Sequence, residues 1–192
     1  MLRPRITPCL LIKNDGLVKT VNFSNEKYVG DPINAVKIFN EKNVDEILII
    51  DIDATSKGMA PNYSLIERIA NESRMPICYG GGIKNLEQAE KIIGMGIEKV
   101  AISSAFIKDP SMISELSFLI GSQSVVGVLD IKKAFLKGYN VFTHNGTVKV
   151  KGKLSDWVKT YQDMGVGEIV FNSIDRDGLM TGYDTNLVNE LQ

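Results

Sequence analysis

The sequence contains one histidine, one tryptophan and two cysteines, and no apolar run approaches the ~20 residues that a membrane-spanning helix needs. The single histidine, His144, has no partner nearby in sequence for a catalytic triad or a metal cluster, so no metal or other cofactor is predicted. The formal net charge of −1 gives no electrostatic attraction for nucleic acid or an anionic membrane. Neither is predicted as a partner, and the composition is that of an ordinary globular chain.

The two cysteines, Cys9 and Cys78, both lie within apolar runs. Buried free thiols are common in proteins of the cytoplasm, where disulfides are rare. We therefore predict two buried, reduced thiols in a cytoplasmic protein, in preference to a disulfide or a metal site.

Six short apolar runs, rich in Ile and Val, alternate with segments of helical periodicity. Because the runs are continuously apolar, they predict strands that are covered on both faces. In segment 85–95 the apolar residues fall at helical spacing, and Asn85 is placed to cap that helix. This alternation indicates an α/β fold with a parallel sheet. The predicted strands are Ile6–Ile12, Glu46–Ile52, Pro76–Tyr79, Lys99–Ser103, Ser124–Asp130 and Glu168–Ile174.

An internal repeat relates two parts of the chain. At a shift of 122 residues, Val44-Asp45-Glu46-Ile47 falls on Val166-Gly167-Glu168-Ile169. Two halves of this length make a protein of about 250 residues, the usual size of an eight-stranded barrel. The sequence therefore predicts one domain, residues 1–192, that is a (β/α)8 TIM barrel of the half-barrel-repeat type with its last two βα units missing. The edges of the first and sixth strands are expected to be unpaired or covered by another copy.

Two turns rich in glycine or serine follow neighbouring predicted strands. Gly80-Gly81-Gly82-Ile83 follows the third strand, Ser103-Ser104-Ala105 follows the fourth, and each opens a helix. Glycine lets backbone N–H groups approach a ligand closely, and helix N-termini favour anions. A steric role would explain either motif alone, but the pair predicts that phosphate binds against Gly82 and Ser104.

Acidic residues follow strands at the same predicted face of the sheet. Asp130 ends an apolar strand, so its side chain is expected at the mouth of the core, where desolvation raises a carboxyl pKa toward acid/base use. For Asp175 and Asp177, capping a helix or forming a turn is an equally good interpretation.

The opposite ends of the strands carry four charged residues. Because parallel strands begin at the same edge of a sheet, two positive and two negative charges could close there into a ring of ion pairs. The alternative is four separate solvated side chains. The four residues are Arg5, Glu46, Lys99 and Glu168.

Together these motifs resemble the cyclase subunit family of imidazole glycerol phosphate synthase, and the likeness covers the full chain. The resemblance implies an enzyme subunit of the lyase class within a glutamine amidotransferase complex. Its top face would bind a substrate with two phosphates and use two aspartates as an acid/base pair. Its N-terminal face would dock a glutaminase subunit, whose ammonia would pass a charged gate and travel through the barrel. The motifs that carry the likeness include Asp15-Gly16, Asn22-Phe23, Gly30-Asp31-Pro32, Gly80-Gly81-Gly82-Ile83, Gly121-Ser122-Gln123, Thr143-His144-Asn145-Gly146 and Ser173 through Gly178.

The resemblance also implies roles for single residues. Asp130 matches the second catalytic aspartate, and the four charged residues at the strand starts match the ammonia gate. Ser103 stands where the family usually has Asn, and the rest of the second phosphate site lies beyond Gln192. The implied phosphate-binding residues are Gly82, Ser103, Ser104, Asp177 and Gly178, and the implied substrate-loop residues are Lys19, Asp51 and Asn172.

One departure from the family pattern bears directly on function. The first catalytic aspartate belongs at the end of the first strand, where this sequence has Leu11 in Cys9-Leu10-Leu11-Ile12-Lys13. Leucine can neither donate nor accept a proton, and losing half of an acid/base pair typically costs ~10² to 10⁴ in rate. The sequence thus resembles a paralogous branch of the family that is associated with acetamidino modification of surface-polysaccharide sugars.

Three functions remain open at this point. The first is an ammonia-channelling barrel of an amidotransferase system for acetamidino sugars, with a phosphorylated or nucleotide-linked small molecule as its substrate. The second is the cyclase subunit of histidine biosynthesis, which Leu11 disfavours. The third is a non-catalytic scaffold for a glutaminase, which the intact set of gate residues disfavours.

Overall fold

The computed structural model describes residues 4–135 and 138–190. Gln192, the last residue of the predicted domain, lies outside the described residues. The described chain falls into two compact units. The first comprises the residues up to 18 together with residues 28–102, and the second comprises residues 19–27 and those from 103 onward.

The first unit is a parallel sheet with helices between its strands. Strands β1, β4, β5 and β6 pair in that order and all run parallel. A hairpin of β2 and β3 follows β1, and β2 pairs with β1 in antiparallel fashion. In chain order the elements are β1 (Cys9–Lys13), β2 (Gly16–Val21), β3 (Ser24–Gly30), α1 (Pro32–Lys42), β4 (Ile47–Asp51), α2 (Tyr63–Glu72), β5 (Ile77–Gly80), α3 (Leu86–Gly94) and β6 (Lys99–Ile102).

Local sequence signals explain where these helices begin. The side chain of Asp31 caps α1 by accepting a hydrogen bond from the Asn34 amide at 3.0 Å, and Pro32 takes the first helical position. Asn85 accepts from the Gln88 amide at 3.0 Å and caps α3, which confirms the predicted start of that helix. The helix α1 ends at Asn43, whose left-handed backbone stops it before β4.

The second unit contains two parallel strands and a second hairpin. Strand β10 pairs parallel to β7, and β8 and β9 extend from β7 in antiparallel fashion. Its elements are α4 (Ser104–Lys108), α5 (Ser111–Ile120), a short 3-10 helix (Ser122–Ser124), β7 (Val125–Lys133), β8 (Tyr139–Thr143), β9 (Val148–Lys149), α6 (Leu154–Asp163), β10 (Glu168–Ser173) and α7 (Thr185–Glu190). No helix in the described residues combines the length and the apolar character that crossing a membrane requires.

All six predicted strands are confirmed, and the predicted repeat extends to the hairpins, which the sequence reasoning missed. The turn of the β2–β3 hairpin has Asn22 and Phe23 at positive φ, and 122 residues later His144 and Asn145 turn the β8–β9 hairpin in the same way. Two successive residues at positive φ make the type I′ turn that suits the twist of a hairpin. The run His144-Asn145-Gly146 contains the Asn-Gly pair that is typical of such a turn. In contrast, β3 is exposed along its length and offers no apolar pattern.

Three expectations about strand edges and burial are wrong. The edge of the first predicted strand is paired over Leu11–Lys13, where β2 runs antiparallel to it. Asp130 does not end its strand, since β7 continues to Lys133 through its pairing with β8. Cys9 is exposed, whereas Cys78 is buried as predicted. Cys78 has strand partners on both sides, Leu48 and Lys99, but the pairing of β2 stops before it reaches Cys9.

Packing in the second unit depends on a glycine in the middle of β7. A Cβ atom at Gly127 would collide with the ring of Tyr161, which is fully buried and meets Phe106 edge-on. We therefore expect Gly127→Ala to lower the free energy of unfolding by about 1–3 kcal/mol, as overpacked cores do.

The matched control is Gly94→Ala at the end of α3, where an added Cβ meets nothing within 4 Å. This change should be neutral or stabilise by up to about 1 kcal/mol, since alanine restricts the unfolded chain. Urea denaturation of both variants tests the claim. Equal stabilities would contradict the proposed collision.

Candidate functional site

A buried glutamate organises the strand starts of the first unit. Glu46, directly before β4, is 4% exposed, and its Oε2 accepts hydrogen bonds from Arg5 Nη1 and Lys99 Nζ, both at 2.9 Å. Lys99 is the first residue of β6. Three of the four predicted gate residues therefore meet in an ion-paired cluster. The fourth, Glu168, is the first residue of β10 in the second unit.

One face of the first unit's sheet continues from this cluster to the other end of the strands. Paired residues of parallel strands point to the same side, and alternate residues point to opposite sides. One face carries Lys99 at the strand starts and apolar residues from there to the strand ends. We call it the gate face. By register it comprises Cys9, Leu11, Leu48, Ile50, Cys78, Gly80, Lys99 and Ala101.

The second unit has a face of the same kind. Glu168, Val170 and Asn172 alternate with residues of the other side along β10, and in register they pair with Val126, Val128 and Asp130 of β7. A charged residue at the strand start is thus separated by valines from a polar pair near the strand end.

That polar pair is Asp130 with Asn172. The Asn172 amide donates to Asp130 Oδ1 at 3.1 Å. Burial raises the pKa of the Asp130 carboxyl to about 6, and the hydrogen bond from Asn172 opposes that shift. A carboxyl group with a pKa close to neutrality can serve as an acid or as a base.

Leu11 and Asp51 lie on opposite faces of the first unit's sheet. Leu11 pairs with Ile50 on the gate face, whereas Asp51 pairs with the buried Ile12. Asp51 Oδ1 accepts hydrogen bonds from the amides of Asp53 and Ala54 at 3.0 and 3.1 Å. Burial raises the pKa of Asp51, although these two hydrogen bonds oppose the shift. Asp51 is thus engaged in shaping the turn after β4 and does not share a face with Leu11.

An ion-paired cluster after β1 and β4 was not predicted. Asp53 is buried and pairs with Lys57 and, at 3.8 Å, with Lys13. Lys57 also donates to Asn14 at 3.3 Å, and Asn62 donates to Asp15 at 2.7 Å. Asp53 and Lys57 are four residues apart, and this spacing could have predicted their ion pair.

The Gly80-Gly81-Gly82 turn lies tightly against the segment that follows β4. A Cβ atom at Gly82, whose φ is +72°, would come within 2.9 Å of the Ala54 methyl group and 3.0 Å of the Met59 carbonyl oxygen. The Gly82 amide donates to Thr55 Oγ1 at 3.4 Å. Glycine is therefore required here for packing, and anion binding at Gly82 stays a prediction.

Ser103 and Ser104 open α4 in the second unit. Ser103 is the N-cap residue, yet its hydroxyl makes no capping hydrogen bond. Its Oγ is buried and has no hydrogen-bond partner among the described residues. A buried hydroxyl without a partner is costly, so this atom is available to donate to a ligand.

Asp177 and Gly178 contact the tip of the β2–β3 hairpin. Asp177 Oδ2 accepts from the Thr20 hydroxyl at 2.7 Å and from the Phe23 amide at 2.9 Å. A Cβ atom at Gly178, whose φ is +70°, would collide with the Thr20 carbonyl oxygen. These are contacts of a turn-forming residue, and a phosphate-binding role for the pair stays a prediction. Lys19, next to Thr20, is exposed.

The Glu46 cluster generates a stability test. Glu46→Gln should lower the free energy of unfolding by about 1–3 kcal/mol, because the mostly buried Lys99 would lose the carboxylate charge that lies 2.9 Å from its ammonium group. Arg5→Gln should cost less than about 1 kcal/mol, since half of the Arg5 side chain is exposed. Urea denaturation measures both, with Glu72→Gln of the surface pair with Lys37 as control. A larger loss from Arg5→Gln than from Glu46→Gln would contradict the buried cluster.

Asp130 generates a test of pH dependence. Its folded pKa of about 6 lies above the unfolded value of ~3.9, so the folded chain binds more protons between about pH 4 and 6. The contribution of Asp130 to stability therefore falls as the pH rises through that window. We expect Asp130→Asn to be more stable than the parent at pH 7 by about 2–3 kcal/mol, and similar to it at pH 4. Asp163→Asn, which removes an exposed carboxylate, controls for the lost charge. A stability difference between Asp130→Asn and the parent that is the same at both pH values would refute the raised pKa of Asp130.

Comparison with known proteins identifies the relatives of this chain. A family model described as histidine biosynthesis protein matches residues 5–192. A Leptospira borgpetersenii protein, provisionally named imidazole glycerol phosphate synthase subunit HisF, is 55% identical over all of this chain and 76% of its own length. A Pseudomonas aeruginosa protein, provisionally named subunit hisF2 of the same synthase, is 53% identical over all of this chain and 76% of its own.

A third relative carries the name without that qualification. Imidazole glycerol phosphate synthase subunit HisF of Exiguobacterium sibiricum is 38% identical over all of this chain and 77% of its own length. The parallel strands and intervening helices agree with the (β/α)8 barrel of this family. From the family match and these identities, the chain belongs to the histidine biosynthesis protein family, among the HisF-like cyclase subunits of imidazole glycerol phosphate synthase.

Proposed function

We propose that this chain is the ammonia-conducting barrel subunit of a glutamine-dependent amidotransferase and that Leu11 prevents it from cyclising the histidine-pathway intermediate. The observation that carries the proposal is the pairing of Leu11 with Ile50 on the gate face, where the family pattern has a catalytic aspartate. A glutaminase subunit docked at the strand starts would supply the ammonia. The acceptor would be a phosphorylated or nucleotide-linked small molecule.

The Glu46 cluster supports the conducting role. Arg5 and Lys99 share one carboxylate oxygen of a buried glutamate, so the buried negative charge is compensated within the protein. Exchanging one ion pair for another can open such a cluster without leaving a buried charge alone. Above it, the gate face presents leucine, isoleucine and alanine side chains and one glycine, which suit a small neutral molecule such as ammonia.

The opposite orientation of Asp51 supports the loss of cyclase chemistry. A carboxylate that replaced the missing aspartate would have to reach the gate face beside Leu11. Asp51 shares its face with Ile12, and its Oδ1 is held by two backbone amides. Asp15, the other nearby acid, accepts a hydrogen bond from Asn62. Neither residue is therefore oriented to replace the missing aspartate on β1.

The remaining site residues have proposed roles at the strand ends. Asp130 would act as the proton-transfer group, with Asn172 holding its carboxylate. Gly82, Ser103 and Ser104 would contact one phosphate of the substrate, and Asp177 with Gly178 would contact the other. The buried hydroxyl of Ser103 supports this assignment, since an anion would supply the partner that it lacks among the described residues. Lys19 and Asp51 would belong to the loops around the substrate.

The second candidate is the cyclase subunit in histidine biosynthesis, and the names of the relatives favour it. The acetamidino-sugar branch is favoured only by Leu11. This chain is 55% and 53% identical to the two provisionally named relatives and 38% identical to the named subunit. The difference is compatible with a separate branch of the family. A direct assay of cyclisation decides between them.

In that assay, the parent chain supplied with ammonia should not convert the histidine-pathway intermediate at a measurable rate. Leu11→Asp should raise the rate by about 10²-fold or more, because it restores a proton-transfer group on the gate face. Product formation under saturating ammonia is the measurement.

Leu11→Asn is the matched control, since asparagine has the size and polarity of aspartate but cannot transfer a proton at neutral pH. It should remain inactive. Turnover by the parent chain would refute the proposal and establish the cyclase. Equal gains in both variants would show that polarity, and not proton transfer, was missing.

A further inference from the structure

One stretch of the second unit is rich in lysine and contains no acidic residue. The chain has 23 acidic residues in all, yet none lies between Ile131 and Ser155, where six lysines are found. This stretch includes the end of β7 and the hairpin of β8 and β9. A short hairpin with charge of one sign attracts anions. The six lysines are Lys132, Lys133, Lys137, Lys149, Lys151 and Lys153, of which Lys137 lies outside the described residues.

Strand pairing aligns two of these lysines with the polar pair of the second unit. Asp130 pairs with Asn172 on one side and with Phe142 on the other, and Phe142 in turn pairs with Lys149. Because paired residues point to the same side of a sheet, one row of four side chains crosses β10, β7, β8 and β9. Lys132, two residues after Asp130, points to the same side. We call the surface formed by Lys132, Phe142 and Lys149 the lysine face.

The opposite side of the same strands is buried. Ile131 pairs with Val141, both are buried, and the Val150 amide donates to the Val141 carbonyl at 2.8 Å. Lys132 and Lys149 are exposed, and neither forms an ion pair within the part of the chain that the structure describes. The lysine face is therefore an open positive surface on a hairpin that is anchored through its other side.

The dimensions of the lysine face restrict what can bind there. Neighbouring strands lie about 4.8 Å apart, so Lys149 stands roughly 10 Å from Asp130, with Phe142 midway between them. Lys132 lies about 7 Å beyond Asp130 along β7. The flexible stems of the two lysines allow both ammonium groups to reach one anion. A diphosphate held by them leaves room for a single sugar ring over Phe142.

We propose that the lysine face binds the diphosphate of a nucleotide-linked amino sugar, with Lys132 and Lys149 on the diphosphate and Phe142 beneath the sugar ring. Ammonium groups form charge-assisted hydrogen bonds with phosphate oxygens, and an aromatic ring packs against the apolar side of a sugar. The sugar would then extend towards Asp130.

These three residues are separate from both phosphate positions proposed above. The inference rests on the proposed function and deepens it, because it selects the nucleotide-linked acceptor from the two classes that were left open there.

Calorimetric titration of the full chain with pyrophosphate tests the two lysines. Combining Lys132→Gln with Lys149→Gln should weaken pyrophosphate binding roughly tenfold or more, because two charge-assisted contacts are lost. Lys133→Gln is the matched control. It removes the same charge one position further along β7, where Lys133 pairs with Tyr139 on the opposite side of the sheet. This variant should bind pyrophosphate nearly as the parent does.

A second titration compares UDP-N-acetylglucosamine with UDP and tests Phe142. In the parent chain the sugar nucleotide should bind several-fold more tightly than UDP, because only its sugar ring contacts Phe142. Phe142→Leu keeps an apolar side chain but removes the flat ring, so it should abolish this difference. Its pyrophosphate binding should equal that of the parent, which also shows that the variant is folded.

The outcomes separate the lysine face from the rest of the proposed function. Equal losses in Lys133→Gln and the double variant would show a general effect of charge and overturn the site. Equal pyrophosphate binding by the parent and the double variant would overturn it as well, since the anion would then bind elsewhere.

A parent chain that binds no pyrophosphate at physiological salt would overturn the diphosphate site and favour an acidic protein as the occupant. A sugar nucleotide that binds no more tightly than UDP would overturn the role of Phe142 and the assigned substrate class. The cyclisation assay of Leu11→Asp is independent of all these titrations, so either proposal can fail while the other stands.

Discussion

Side chains alternate between two faces along every parallel strand of this chain, and the position of each functional group depends on that alternation. In the first unit one face carries Lys99 and, by register, Leu11, while the other carries Ile12 and Asp51. In the second unit Glu168 and Asn172 share a face because four residues separate them. A shift of one residue in any strand would move its charged or polar group to the opposite face of the sheet.

The two hairpins show a repeat of structure as well as of sequence. Both follow a parallel strand, and both turn on two consecutive residues at positive φ, Asn22-Phe23 and His144-Asn145. The sequence repeat at the strands, Glu46 with Glu168, has the same spacing of 122 residues. The hairpins have nevertheless diverged in their contacts: Asp177 accepts hydrogen bonds from the first tip, whereas Thr143 and His144 contact each other at the second.

The sequence predicted the elements whose signals are local and repeated. Apolar runs predicted every parallel strand, and Asn85 predicted the start of α3 correctly. What it missed depends on contacts between distant residues. Strand β3 is polar and exposed, so its pairing left no apolar pattern. Cys9 lies in an apolar run and is nevertheless exposed, which the run itself does not predict. Thr20 contacts Asp177, and Gly127 lies against Tyr161. Because these partners are far away in sequence, neither contact leaves a local sequence pattern.

The proposed ammonia path and the proposed site of cyclisation involve different positions along the strands. The Glu46 cluster lies at the strand starts and depends on Arg5 and Lys99. Leu11 lies in the middle of β1, and Asp130 lies toward the end of the pairing of β7 with β10. Replacing an aspartate by leucine at position 11 removes a proton-transfer group and adds an apolar side chain to a face that is already apolar. Such a change leaves the cluster of charges at the strand starts untouched. Under the proposed function, one substitution would therefore remove cyclisation while the ion-paired cluster at the strand starts stays in place.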